Sequence, residues 1–127
     1  MLSFEHRFDT DPKEVTYFAL TYPFSYSDCQ NLLNKYEKSF ANHPKIYFHR
    51  ELLVKSLQGR RVDLITITSK ENQMKDEEDS IPYLFPEGKP RPLRFKKPTI
   101  FITARVHPGE TQGSHMMNGL LAFLLAE

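Results

Sequence analysis

The stretch Pro98-Thr99-Ile100-Phe101-Ile102-Thr103-Ala104-Arg105-Val106-His107-Pro108-Gly109-Glu110-Thr111 decides how this chain is read. Its first half, residues 98–104, is short, β-branched and aromatic, and apolar on both faces, the pattern of a central strand buried inside a covered sheet. Pro108 biases His107 away from right-handed helical geometry and Gly109 permits a tight turn, so the strand ends here and the backbone turns sharply. From Ser114 onward Met116, Met117, Leu120, Leu121 and Leu124 recur at the spacings of one apolar helix face, with Thr111 or Ser114 as the candidate N-cap. The order is strand, loop, helix. In open α/β sheets the crevice beyond the carboxyl ends of the strands is where ligands bind.

On that loop stand a His and a Glu three residues apart. Imidazole nitrogen and carboxylate oxygen are both zinc donors, and a catalytic zinc takes three protein ligands and leaves one position open. His107 and Glu110 are therefore candidate metal ligands. The bare spacing has a second explanation, a turn whose Glu110 carboxylate favours the helix N-terminus and its dipole. His115 is the only nearby residue able to add a third donor, and at helical spacing it falls off the Met116/Leu120 stripe. His6, His43 and His49 fall at a terminus, a helix end and a strand, and nothing in the pattern brings them to His107.

Upstream, residues 46–57 and 61–68 are two alternating apolar segments joined through Gln58-Gly59, a hairpin signal. Residues 25–40 read as a helix with Leu32, Leu33 and Tyr36 on one side, Ser25 or Ser27 as N-cap, and Asn42-His43-Pro44 as its end. Residues 1–24 read as a strand or two, clearest over 15–22. Residues 70–80 carry two Lys against two Asp and three Glu and read as an exposed, mobile connector. Residues 81–98 hold five of the nine prolines, which forbids continuous helix or central sheet and implies an extended surface crossing. That crossing sets Lys89, Arg91, Arg94, Lys96 and Lys97 against Glu87. It is read as a solvated connector in preference to a patch that steers acidic polypeptides.

Hydrophobic residues make up 39% of the chain and charged residues 26%, with a formal net charge of +1, so neither disorder nor generic nucleic-acid binding is favoured. The lone Cys29 has no internal disulfide partner, which fits a reducing compartment, and it reads as a small core residue rather than a nucleophile. Met1-Leu2-Ser3-Phe4-Glu5-His6 lacks the basic start and apolar core of a signal peptide. The apolar stretch near the C-terminus is too short to span a bilayer. The expectation is a cytosolic chain with no membrane or nucleic-acid partner.

Several motifs also carry a family likeness. Residues 101–111 resemble the first zinc-binding segment of carboxypeptidase A type metallocarboxypeptidases, in the His-Pro-Gly-Glu-Thr form of the cytosolic carboxypeptidases. Ser56-Leu57-Gln58-Gly59-Arg60 is similar to the hairpin that opens the same catalytic fold. The stretch from Tyr17 through Pro23-Phe24-Ser25 to Gln30 resembles the segment joining the family's β-sandwich-like N-terminal domain to its catalytic domain. Tyr47-Phe48-His49-Arg50-Glu51-Leu52-Leu53 and Leu84-Phe85-Pro86 extend the likeness over nearly the whole chain. Gln112-Gly113 departs from the family's usual Pro-Ser, which bears on how the helix starts.

The resemblance implies an α/β fold, a partial mixed β-sheet flanked by helices, preceded by the end of a β-sandwich-like domain. Residues 1–24 would close that N-terminal domain, and residues 25–127 would begin the catalytic one. It implies Zn2+ held by His107 and Glu110. The family's third ligand, general base and substrate-carboxylate binders come from downstream segments, so no catalytic residue is assigned within the chain. The implied activity is removal of C-terminal or branch-point glutamates from proteins such as tubulin, in the cytoplasm, at the cytoskeleton or in the nucleus. The implied partner is a polyglutamylated protein. Such hydrolysis needs zinc to polarise a carbonyl and a carboxylate to take a proton from water, and Glu110 cannot both ligate and act as base. The isolated chain is therefore expected to be inactive and, with unpaired strand edges, poorly soluble. The alternative is a short non-catalytic binding or dominant-negative module derived from the same family.

Overall fold

A long β-hairpin organises the computed structural model, which describes residues 3–8 and 11–126. Strands β1 (Ile46–Lys55) and β2 (Arg61–Ser69) pair antiparallel, with Phe48 opposite Ile67, Arg50 opposite Ile65 and Leu52 opposite Asp63. The register shifts between Leu52 and Val54. The connecting loop closes through Gly59, whose φ of 72° is open to glycine without steric cost and whose N–H donates to the Ser56 carbonyl at 2.8 Å. Both strands and the turn lie where the alternation and Gln58-Gly59 place them.

Helix α1 (Tyr26–Phe40) covers the hairpin face that carries Phe48, Arg50 and Leu52. Its start is a capping box, with the Asp28 N–H donating to Ser25 Oγ at 3.1 Å and the Ser25 N–H donating to Asp28 Oδ2 at 2.8 Å. Leu33 is buried on the inner side, and the Phe40 ring stacks on Phe48 with centroids 6.2 Å apart. Arg50 Nη2 lies 3.0 Å from Asp63 Oδ2, both side chains almost wholly buried. Gln30 and Arg61 supply further donors to the same carboxylate. A buried ion pair offsets its desolvation only when its remaining donors and acceptors are satisfied in this way.

The opposite face carries Tyr47, His49 and Glu51, and here the structure corrects the sequence reading. Residues 70–80 and 81–98 are not two separate connectors. Strand β3 (Gln73–Glu77) pairs antiparallel with the short β4 (Leu93–Phe95) in a second two-stranded sheet. Opposite charge draws the two stretches together: Arg94 Nη2 lies 2.7 Å from Asp79 Oδ2, and the Glu78 N–H donates to the Pro92 carbonyl at 2.9 Å. The unit is tied to the hairpin by the Leu93 N–H, which donates to the Tyr47 hydroxyl at 3.0 Å, and by the Phe95 ring against Tyr47 at 5.0 Å.

Two expected strands form no ladder among the described residues. Residues 98–104 are extended but unpaired, with Ile100 83% exposed, because no described element presents an edge to them. Residues 15–22 are likewise unpaired and exposed. Residues 1, 2, 9 and 10 of the 1–24 segment lie outside the described residues. The α/β class therefore holds, with its ladders present as two antiparallel pairs. Helix α2 (Thr111–Leu124) begins three residues ahead of Ser114, and its N-cap is Glu110 rather than Thr111 or Ser114. Its buried positions are Leu121 and the following Leu125, while Met116 and Leu124 are exposed. No helix among the described residues is long and apolar enough to cross a membrane.

Candidate metal centre

The loop between the extended run and α2 is built by short local bonds. The Glu110 N–H donates to the His107 carbonyl at 3.1 Å, the Thr111 N–H to Gly109 at 3.0 Å, and the Gly113 N–H to Glu110 at 3.0 Å. This winding turns the Glu110 carboxylate back toward His107. Glu110 Oε1 lies 2.8 Å from His107 Nδ1, and the His107 N–H donates to Oε2 at 3.4 Å. The carboxylate makes no side-chain cap bond to its own helix. The two side chains are 75% and 46% exposed, so both donors are open to solvent.

The donor chemistry suits zinc as two of its ligands. On binding a metal, the pair would exchange its mutual hydrogen bond for the ion. Among the described residues no group of three or more His, Cys, Asp or Glu side chains could hold a metal ion. The candidate pair therefore stands as a half-site among the described residues.

The remaining histidines and the cysteine are engaged elsewhere. The His115 ring packs edge-on against Phe24 at 5.5 Å, and His43 Nδ1 accepts the Ile46 N–H at 2.9 Å. His6 packs against the Phe8 and Phe18 rings. His49 is half-buried in β1, and burial pushes its pKa down despite the neighbouring Glu51. Burial, reinforced by Asp63, pushes the Cys29 thiol up, the opposite of what an activated nucleophile requires. The basic crossing is engaged by the rest of the fold: Lys89 pairs with Glu87 at 3.0 Å, Arg91 with Glu51 at 2.8 Å, and Lys97 Nζ donates to the Ser69 carbonyl at 2.7 Å.

Sequence reasoning missed Arg105. It sits at φ 59°, the left-handed region, which costs a non-glycine residue about 1–3 kcal/mol and persists where surroundings enforce it. Its Nε and Nη2 donate to the Pro108 carbonyl at 3.1 and 2.9 Å, and its Nη1 donates to the Phe24 carbonyl. The same approach explains part of the Gln112-Gly113 departure. A Cβ on Gly113 would stand 3.2 Å from the Arg105 backbone nitrogen, tighter than ordinary contact. Beside the loop lies an open, mainly apolar cavity of about 330 Å³, lined by Leu20, Pro23, Phe24, Arg105 and Thr111.

The profile of the zinc carboxypeptidase family, a class of zinc-dependent peptidases, matches residues 33–127, a span that includes this loop. The chain belongs to the zinc carboxypeptidase family. It is 50% identical to cytosolic carboxypeptidase-like protein 5 of Homo sapiens, over 98% of this chain and 15% of that protein. The protein of the same name from Danio rerio is 41% identical over 100% of this chain and 16% of its own length. Cytosolic carboxypeptidase 6 of Caenorhabditis elegans is 38% identical over 100% of this chain and 22% of its own length. The chain thus spans only about 15% of the length of the human relative.

Proposed function

We propose that this chain is the part of a cytosolic metallocarboxypeptidase that supplies its first two zinc ligands, His107 and Glu110. The observation that carries the reading is the convergence of His107 Nδ1 and Glu110 Oε1, 2.8 Å apart on an exposed loop inside the family match. On this reading residues 1–24 end an N-terminal β-rich domain and residues 25–127 open the catalytic one. The substrate is a polyglutamylated protein, tubulin in the first instance, from which C-terminal or branch-point glutamates are released. Names of relatives that specify a cytosolic carboxypeptidase support a cytoplasmic enzyme.

Zinc, when bound, supplies a polarised carbonyl and a water of lowered pKa. The residues of this chain orient rather than react. His107 offers an imidazole nitrogen and Glu110 a carboxylate oxygen, and their solvent-open side leaves room for a polypeptide end. With Glu110 committed as ligand, it cannot also take the water's proton, and proton transfer falls to another residue. A second reading is a short non-catalytic binding module derived from the same family.

The test is to capture the native protein with an antibody against the peptide of residues 70–80 and record its mass. The same material is then incubated with a polyglutamylated tubulin peptide, with and without a zinc chelator. A species much heavier than 14.9 kDa that releases glutamate and stops with chelator is the expected result. A 14.9 kDa species that releases none would replace the enzyme with the binding module.

A further inference from the structure

Arg105 makes the loop's longest-range connection. Left-handed backbone at this residue folds the side chain back over the turn that follows, so that the guanidinium reaches the Pro108 carbonyl through two N–H groups at 3.1 and 2.9 Å. Its remaining arm reaches the Phe24 carbonyl, 81 residues earlier, just ahead of the Ser25 cap of α1. Phe24 in turn packs its ring on His115 of α2. One planar group thereby links the segment before α1 to the middle of the His107–Glu110 turn. Arginine suits this position because its fork holds several donors in a rigid plane, which a lysine ammonium does not.

Pro108 lies between the two donors of the half-site. Holding its carbonyl restrains the peptide that sets the separation of His107 from Glu110. Gly113 reports how closely the parts fit, since a Cβ there would stand 3.2 Å from the Arg105 backbone nitrogen, tighter than ordinary contact.

We propose that Arg105 is a positioning residue: through the Pro108 and Phe24 carbonyls it holds the His107–Glu110 turn in metal-binding geometry and couples it to the segment before α1. The metal part of this inference rests on the zinc reading above. Residues that orient metal ligands typically change metal affinity 10- to 100-fold when removed.

The test compares the parent chain with Arg105→Gly, Arg105→Lys and His107→Ala. Glycine accepts the left-handed backbone without strain, so this variant removes the guanidinium while leaving the local fold accessible. Backbone amide exchange is followed by NMR in metal-free protein, and cobalt is titrated by its visible absorption. In Arg105→Gly, exchange at Glu110, Thr111 and Gly113 accelerates while β1 and β2 keep parent rates, and cobalt affinity falls about 10- to 100-fold. Arg105→Lys, with one donor group and no fork, recovers only part of either effect. Parent-like exchange across residues 107–113 in Arg105→Gly, or parent-like cobalt affinity, overturns the proposal. The zinc reading is tested by a different pair: a parent chain that binds cobalt no better than His107→Ala defeats it, and the metal-free exchange then still decides whether Arg105 holds the turn.

Discussion

Arg91 and Glu51, 40 residues apart, form a nearly buried ion pair at 2.8 Å that fastens the proline-rich crossing to the middle of β1. Arg91 also lays its guanidinium over the Phe85 ring, 3.5 Å from the centroid. Removing one partner strands the other's charge in a site only 4% exposed at Glu51. Arg91→Ala should therefore lose about 3–5 kcal/mol, the usual cost of an uncompensated buried charge. Glu51→Leu combined with Arg91→Met should lose much less, because no charge is left behind. Urea denaturation of the single and double variants decides it, and equal midpoints for the two would contradict the pair's role.

Asp63 sets an acid limit on the α1–hairpin contact. Burial pushes its pKa up, but hydrogen bonds from Arg50, Gln30 and Arg61 outweigh burial and hold it below the ordinary 3.8. A carboxylate with a depressed folded-state pKa contributes stability that is complete above its unfolded pKa and lost as pH falls through the folded value. The chain should thus keep this contribution down to about pH 4 and lose it on further acidification. Asp63→Asn should be less stable at pH 7 and show a shallower decline below pH 4, read from melting temperatures across a pH series. A decline as steep as the parent's would assign the acid limit to other groups.

How far the sequence could be read follows from which interactions are local. The hairpin was legible because Gly59 and the alternating faces of β1 and β2 are neighbours in sequence, and α1 because Ser25 and Asp28 are three apart. The nearness of His107 to Glu110 was legible for the same reason, as a spacing across one turn. The β3/β4 pairing was missed although the two stretches carry opposite charge, because Gln73–Glu77 contains no strand-forming residue and Leu93–Phe95 is short and follows two prolines. Its corners also use left-handed backbone at Asn72, Tyr83 and Phe85, only the first of which favours it. Arg105 was missed because its partner at Phe24 is distant in sequence. Residues 98–104 have a strand's composition, but a strand exists only where another edge accepts its hydrogen bonds.

That unpaired run gives the isolated chain a defined weakness. Ile100 and Phe101 are 83% and 75% exposed on an extended backbone with free N–H and C=O groups, a template for pairing with another copy. The chain should self-associate as concentration rises, seen as a growing heavy fraction in sedimentation velocity. Phe101→Lys should raise the monomer fraction, since a charge on an exposed edge disfavours pairing. A parent chain that stays monomeric and melts sharply would show that the edge is covered.

The half-site predicts how weakly zinc binds. Complete four-ligand structural sites contribute about 10–16 kcal/mol, and two solvent-open ligands should give far less, a Kd on the order of 0.1 mM or weaker. His107→Ala leaves a single carboxylate and should abolish binding measurable by calorimetry, while Glu110→Gln, which keeps the imidazole, should weaken it at least tenfold. Chelator should leave the melting temperature of the 127-residue chain almost unchanged, because α1, the hairpin and the β3/β4 unit are held without metal. Purified chain should likewise release no glutamate from a glutamylated peptide, with or without zinc, since no third ligand joins the pair among the described residues. Nanomolar zinc binding would require a third donor among residues that the fold now keeps apart. The first to replace would be His115, freed from Phe24.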